Sequence, residues 1–510
     1  MKRRDFLAAT AGFAGTLVPM VGNGQVRPCP PEIFGLAGGQ SLASGCVEIS
    51  GEAPRWFLDQ PAMTWVAIAV RGTLRAAHDA APAQAGSMIG SAANITASWT
   101  GGCVDQTRGE LILAANGGHA NYAGNEVYAC QIRSDAPAWY RLTDQSPLTV
   151  VSPPVEIGSK TASTSNTVAG QGHNPKAFAA MYRDGRVRAM HTANIPQFSN
   201  GRVWFSYQPS PEGAGFSTPH AWSFNRSYPG IPTSPGGMSL KWSNDPGPWT
   251  WLGTSDSGAK DDTSQSGAKY TSSGWTSAAM DPVTGWIWTA HADAPLTNWT
   301  SLDTTGTRSP QFVSSPLRQY QAGFNNKWSV VVYDPAWDGV VGDPNKTCRW
   351  RFLVLGAEDG RLFALDLTAA DPYAPAAWRT VNVPGLASAD KVKDWGAVYH
   401  KASRSIILGR YSSTYSDAAV AGEELPNFLT IRIATDGRGA YAGDTWKKTV
   451  VVNDGNPNPW GEFDGKRGNG AYSKFNIVHD MGDGHAALVC VTDIDGPTFV
   501  YKLPLGDFPS

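Results

Sequence analysis

"WTGGCVDQTRGELILA", residues 99–114, holds two short apolar runs joined by Asp-Gln-Thr-Arg-Gly. Asp bonds its own backbone and Gly reaches left-handed angles, so the joint is tight-turn chemistry and the stretch reads as a β-hairpin. The same grammar returns at "AFAAMYRDGRVRAMH" (177–191), "WTSAAMDPVTGWIWTAH" (275–291), "WSVVVYDPAWDGVV" (328–341), "WGAVYHKASRSIILGR" (395–410) and "YSKFNIVHDMGDGHAALVC" (472–490). In the fourth of these six units the second strand is delayed to "WRFLVLG" (350–356).

A third strand follows several hairpins, as in "EVYACQI" (126–132), "RLFALDL" (361–367), "FLTIRIA" (428–434) and "TFVYKLP" (498–504). A fourth, often bearing Trp, follows in places: "AWYRLT" (138–143), "WTWLG" (249–253), "AWRTV" (377–381) and "TWKKTVV" (445–451). Four short strands per unit, repeated with irregular loops, describe an all-β propeller of six or seven four-stranded antiparallel blades. The last unit stops after its third strand, while "MTWVAIA" (63–69) precedes the first. That N-terminal strand is expected to complete the last blade and close the ring, which removes the open edges.

Composition agrees. Only 16% of the 510 residues are charged, while there are 56 Gly, 36 Pro and 20 Trp, a profile of short strands and many loops. The formal net charge of −2 leaves no electrostatic footprint for nucleic acid. No apolar run after residue 21 is long enough to span a bilayer. "MKRRDFLAATAGFAGTLVPMVG" has a basic start and a mildly apolar run, the layout of a signal peptide. Arg3-Arg4 before Asp5-Phe6-Leu7 resembles a twin-arginine export signal, although no A-x-A cleavage site follows. Residues 1–25 are therefore expected to be an export signal or an N-terminal anchor, 26–60 an irregular extension, and 61–510 the propeller. The expected location is periplasmic or extracellular, with a virion as the alternative. Of the six cysteines, Cys29 and Cys46 could pair, and the other four sit in apolar contexts that suit buried thiols.

"GGHANYAGNEVYA" (117–129), following W-x-G-G-x-x-D-x-x-R at 99–108, resembles the first blade of kelch-like, galactose-oxidase-type propellers. Such proteins occur among bacterial secreted and phage-encoded proteins, mostly without assigned activity. The resemblance is specific over roughly residues 95–145 and architectural elsewhere, so it implies fold more than function.

In a propeller the Asp-to-Gly turns join the innermost strand to the next, at one face. The loops from the second strand to the third, and the entries into the innermost strands, lie at the other. "NGGHANYAGN" thus projects His119, Asn121, Tyr122, Asn125 and Glu126 onto that second face. His191, His291, Glu358, Arg410, Tyr411 and Asp493 end second strands on the same face; Trp99, Trp275, Trp328 and Trp395 enter there, with His173 and Asn174 nearby. Indole faces and hydroxyl partners suit sugars, although such Trp residues also serve as wedges between blades. The Asn-Glu of the loop would equally serve as a backbone staple.

One reading is an exported propeller that binds a polysaccharide or cell-surface glycan. In its catalytic form it is a lyase, with His119 or His191 as base, Tyr122 or Tyr411 as acid and Arg410 on the sugar carboxylate. Asn121, Asn125, Glu126, His173, His291, Tyr411, Trp275 and Trp395 would then bind the ligand. A hydrolase would need paired carboxylates across a cleft. The other reading is a non-catalytic attachment protein of a virion or surface, using the propeller to bind a receptor, with virion assembly partners. No cofactor or metal is expected: "VYH" (398–400) is similar to a copper-ligating Tyr-His pair, but it falls at a turn on the opposite face.

Overall fold

The computed structural model describes residues 52–80, 90–97, 100–117, 122–147, 182, 184–205, 220–254, 276–291, 298–303, 311–314, 326–339, 348–357, 361–372, 374–386, 395–409, 428–451 and 471–508. The first strand is β1 (Trp65–Ile68). β2 (Cys103–Asp105), β3 (Glu110–Ala114), β4 (Val127–Gln131) and β5 (Trp139–Thr143) make an antiparallel sheet in sequence order. So do β6 (Gln197–Ser199), β7 (Arg202–Phe205), β8 (His220–Asn225) and β9 (Trp249–Thr254). β10 (Thr276–Met280), β11 (Trp286–His291), β12 (Asn298–Asp303) and β13 (Gln311–Ser314) form the next. It is followed by β14 (Asn326–Tyr333), β15 (Arg351–Ala357), β16 (Leu362–Asp366) and β17 (Trp378–Val381). β18 (Gly396–His400), β19 (Ser405–Gly409), β20 (Phe428–Arg432) and β21 (Lys447–Val451) complete five blades of consecutive strands.

A further four-stranded sheet joins β22 (Phe475–Val478), β23 (Ala487–Cys490) and β24 (Thr498–Lys502) to β1, in the order β1-β24-β23-β22. Trp65 pairs with Tyr501 and Ile68 with Thr498. The first strand of each sheet in turn meets the first strand of the next, and β22 meets both β18 and β2, so the ring is closed. No seventh sheet is present among the described residues.

Apolar residues fill the layers between neighbouring blades. Ile112, Ala129 and Leu142 of one blade pack with Val203, Trp222 and Phe224 of the next. Val354 and Leu362 pack with Ile406 and Leu429 in the same manner. The crevice between the first and last blades holds three short helices: α1 (Arg55–Leu58), α2 (Leu74–Asp79) and α3 (Asn94–Ala97). Phe57, Leu74 and Ile95 from these helices bury themselves against Leu113, Tyr128, Val489 and Val500. The sequence reading had no helices here; each is too short to persist alone and depends on that crevice. No helix among the described residues is long and apolar enough to cross a membrane.

The Asp turns recur as expected. Asp105 Oδ1 accepts from the Thr107 amide at 2.9 Å and from the Thr107 hydroxyl at 2.6 Å. Asp281 and Asp334 take the amides of Val283 and Ala336 in the same way, at 3.0 and 2.9 Å. The second unit departs from expectation. Its inner hairpin is β6–β7, turned by Asn200-Gly201 with φ of 51° and 71°, and not 177–191. Two left-handed residues are what a two-residue hairpin loop demands. Asp-Gly-Arg at 184–186 does close a turn, with the Tyr182 amide donating to Arg186 O at 2.8 Å. The chain beyond it is captured by the neighbouring blade: the Met190 amide donates to Ala115 O at 2.9 Å.

Cys103, Cys130 and Cys490 are buried free thiols and Cys348 is half-buried. Cys29 and Cys46, the signal-like segment and most of the extension lie outside the described residues.

Candidate functional site

The loop between β3 and β4 leaves the sheet at the face opposite the Asp turns, and a buried asparagine anchors each of its ends. Asn116 Nδ2 donates to Gly101 O at 3.0 Å and Ile95 O at 3.2 Å, and its Oδ1 accepts from the Thr192 hydroxyl at 2.6 Å. Thr192 Oγ1 in turn accepts from the Gly101 amide at 2.7 Å. Ser473, entering the last blade, accepts from the Gly102 amide at 3.1 Å and donates to Ala193 O at 2.6 Å. Entries of three blades are thereby tied together. Gly101 is required there, because a Cβ would run into Ala193 O and Ser473 Oγ.

Asn125 holds the other end. It donates to Ser146 Oγ and Val187 O, both at 2.9 Å, and accepts from the Ser146 amide at 2.8 Å. The Ser146 hydroxyl continues to Asp184 Oδ2 at 2.6 Å, which also accepts from Trp242 Nε1 at 2.9 Å. With 1% of its surface exposed, Asn125 is a staple and has no group left for a ligand.

Next to it lies a polar chain. Tyr122 donates its hydroxyl to Glu126 Oε1, and Tyr128 donates to the same oxygen at 2.9 Å. His78, at the end of α2, places Nε2 3.3 Å from the Tyr122 oxygen and Nδ1 2.7 Å from Asp79 Oδ1. Tyr122, Tyr128 and Glu126 are buried, whereas the His78 side chain is 24% exposed and that of Asp79 60%. Burial, and then the Glu126 charge, push both phenols well above their ordinary range, so they stay protonated and donate. Arg141 sits over the Tyr128 ring at 6.0 Å and donates Nη1 to His78 O at 3.3 Å. Glu126 Oε2 has no hydrogen-bond partner among the described residues. Gly124 lies against it, since a Cβ there would overlap both that oxygen and the Tyr122 ring.

The other expected site residues are placed as follows. His191 directly follows Met190, whose carbonyl accepts from the Gly117 amide at 3.3 Å, so it sits at the root of the loop, 7% exposed. It enters the second blade and does not end a second strand, because the hairpin of that blade lies further on. His291 closes β11, paired with Thr276. Trp395 is 2% exposed and packs with Tyr399, Leu408 and Trp446 in the core between blades, so it offers no free face for stacking. Trp328 is likewise buried, against Gly356. His400 ends β18 at the turn face, as expected, with Nδ1 2.8 Å from Ser403 Oγ. His119, Asn121, His173, Trp275, Arg410 and Tyr411 lie outside the described residues. Among the described residues, no group of three or more His, Cys, Asp or Glu could hold a metal ion.

The sequence reading missed His78, Tyr128, Arg141 and Thr192. A signal existed for His78: Thr73 caps α2 by accepting from the Ala76 amide at 3.3 Å, and this start motif places His78-Asp79 in the last turn.

No family model and no curated protein matches the chain. Among solved structures it is similar to a provisionally named glycoside hydrolase from Bacteroides ovatus, at 11% identity and a TM-score of 0.28, over 62% of this chain and 88% of that one. It is also similar to a glycosyl hydrolase from the same organism, at 13% identity and a TM-score of 0.27, over 62% of this chain and 85% of that one.

Proposed function

We propose that the protein is an exported β-propeller that binds carbohydrate on the face where its β3–β4 loop and inner-strand entries meet. The observation that carries the reading is the pair of buried staples, Asn116 and Asn125, which root a polar loop bearing His119, Asn121 and Tyr122 in a rigid frame. Loops held on such a frame are where binding sites are built. In the catalytic form of this reading, His119 or His191 removes the C5 proton of a uronic acid, Tyr122 or Tyr411 protonates the leaving oxygen, and Arg410 neutralises the carboxylate. His173, His291 and Trp275 would contribute to the ligand surface.

One observation favours a non-catalytic module. Tyr122 is 3% exposed and its hydroxyl proton is already committed to Glu126, so it is poorly placed to reach a leaving group. In that form the propeller reads a surface glycan as a receptor, on a cell or a virion.

The test incubates purified protein with uronic-acid and neutral polysaccharides, following ultraviolet absorbance of unsaturated ends and retention on immobilised glycan. Absorbance that rises and is lost in His119→Ala makes it a lyase. Retention without product makes it a binding module. Neither response on any glycan ends the carbohydrate reading.

A further inference from the structure

Each buried arginine among the described residues faces a carboxylate: Arg226 meets Glu110 at 3.0 Å, Arg141 meets Asp144 at 3.6 Å and Arg186 meets Asp184 at 3.7 Å. The half-buried Arg108 and Arg351 follow the same rule, with Asp105 at 3.5 Å and Asp281 at 3.1 Å. Arg202 breaks it. It opens β7 directly after the Asn200-Gly201 turn, is half-buried, and gives Nη1 to a neutral acceptor, Ser223 Oγ, at 3.1 Å. Burial draws its guanidinium down from the ordinary range, and no neighbouring charge offsets that. An arginine keeps its proton even so. A positive charge partly withdrawn from water costs free energy unless an anion meets it.

The surroundings suit an anion with an apolar body. Alternation along β7 puts Arg202 on the same face as Trp204, which lies opposite Ser223 in β8. That face looks onto the third blade, where Trp204 packs with Ala278 and Ile287, flanked by Leu252 and Met280. The indole is fixed by its own Nε1, which donates to Ser199 O at 2.9 Å. Arg202 therefore stands beside an apolar crevice between the second and third blades. It does so at the turn face, on the side of the ring away from the β3–β4 loop.

We propose that Arg202 binds the carboxylate of a small ligand whose apolar body lies on Trp204 and Leu252 in this crevice. The planar guanidinium fork matches the two oxygens of a carboxylate, and the N–H groups of Arg202 other than Nη1 have no protein partner among the described residues. The site uses no residue of the glycan reading, so either can fail while the other stands.

The experiment is thermal unfolding of the full chain, at constant ionic strength, with sodium benzoate, sodium acetate or the uncharged benzamide. Benzoate should raise the wild-type midpoint saturably, acetate should do so more weakly, and benzamide should leave it unchanged. Arg202→Gln should weaken benzoate about tenfold or more, as the loss of a charge-assisted pair implies, and Arg202→Lys should recover part of that. Trp204→Phe should narrow the gap between benzoate and acetate. Without ligand, Arg202→Gln should unfold at the wild-type temperature or above it, because a residue kept for binding is not kept for stability. A ligand-free Arg202→Gln midpoint below that of the wild type would make the Ser223 bond structural and overturn the proposal. So would a wild type indifferent to benzoate, or an equal benzoate response in wild type and Arg202→Gln.

Discussion

Trp328 and Gly356 face each other across β14 and β15, and the indole fills the space that a side chain on the glycine would need. The ring is fully buried, so it has nowhere to retreat. Gly356→Ala should therefore cost about 1–3 kcal/mol, the usual penalty of overpacking a tight core. Urea unfolding monitored by tryptophan fluorescence measures it; an unchanged midpoint would show that the indole shifts freely.

Thr192→Val removes the hydroxyl that donates to Asn116 and accepts from Gly101, at nearly constant volume. Leaving buried polar groups unpaired should cost about 1–3 kcal/mol. Asn116 roots the loop, so under the proposed glycan-binding function retention on immobilised glycan should fall as well. A variant destabilised with retention intact would separate the frame from the ligand face.

His400 gives a pH dependence of known sign. Burial, with His479 nearby, pushes its imidazole down from 6.5 to about 4. The unfolded chain thus takes up the proton first as pH falls. Stability from neutral His400 is complete above 6.5 and is lost as pH falls through about 4, by about 3 kcal/mol in all at about 1.4 kcal/mol per unit. His400→Asn should flatten the curve of unfolding free energy across that window. Parallel curves for variant and wild type would assign the acid sensitivity to other groups.

Arg226 and Glu110 form a buried ion pair between the first two blades. Arg226 Nε donates to Glu110 Oε2 at 3.1 Å and Nη2 donates to the Tyr140 oxygen at 2.7 Å, while Tyr140 donates to Glu110. Burial pushes the Glu110 carboxyl up despite the cation. Arg226→Met should cost about 3–5 kcal/mol by stranding the carboxylate, and adding Glu110→Leu should recover much of it. If the double variant is no more stable than the single in calorimetry, the pair does more than neutralise itself.

The propeller was legible because its signals are local. Asp281 and Asp334 each bond amides two residues on, so the turn that repeats in sequence repeats in space. The second unit was misread because Asp184-Gly185 and Asn200-Gly201 are equally good turns, and only the neighbour claiming Met190 decides which belongs to the hairpin. The site was less legible for a related reason. Asn116 and Asn125 look like ligand groups until their partners appear, as far away as Val187 and Thr192. His78 lies 44 residues before Tyr122, in a helix whose packing crevice exists only once the ring has closed.

The pairing of β1 with β24 sets a timetable. β1 is synthesised long before β24, its hydrogen-bonding partner, because the other strands of the ring lie between them in the chain. Throughout elongation, Trp65 to Ile68 present an unsatisfied strand edge, and closure joins residues separated by almost the whole propeller. Because the two strands already lie side by side, a rearranged gene starting at β22 and running on from β24 into β1 would synthesise this blade in one piece. That chain should reach its folded state faster, and aggregate less on the way, while ending in the same ring.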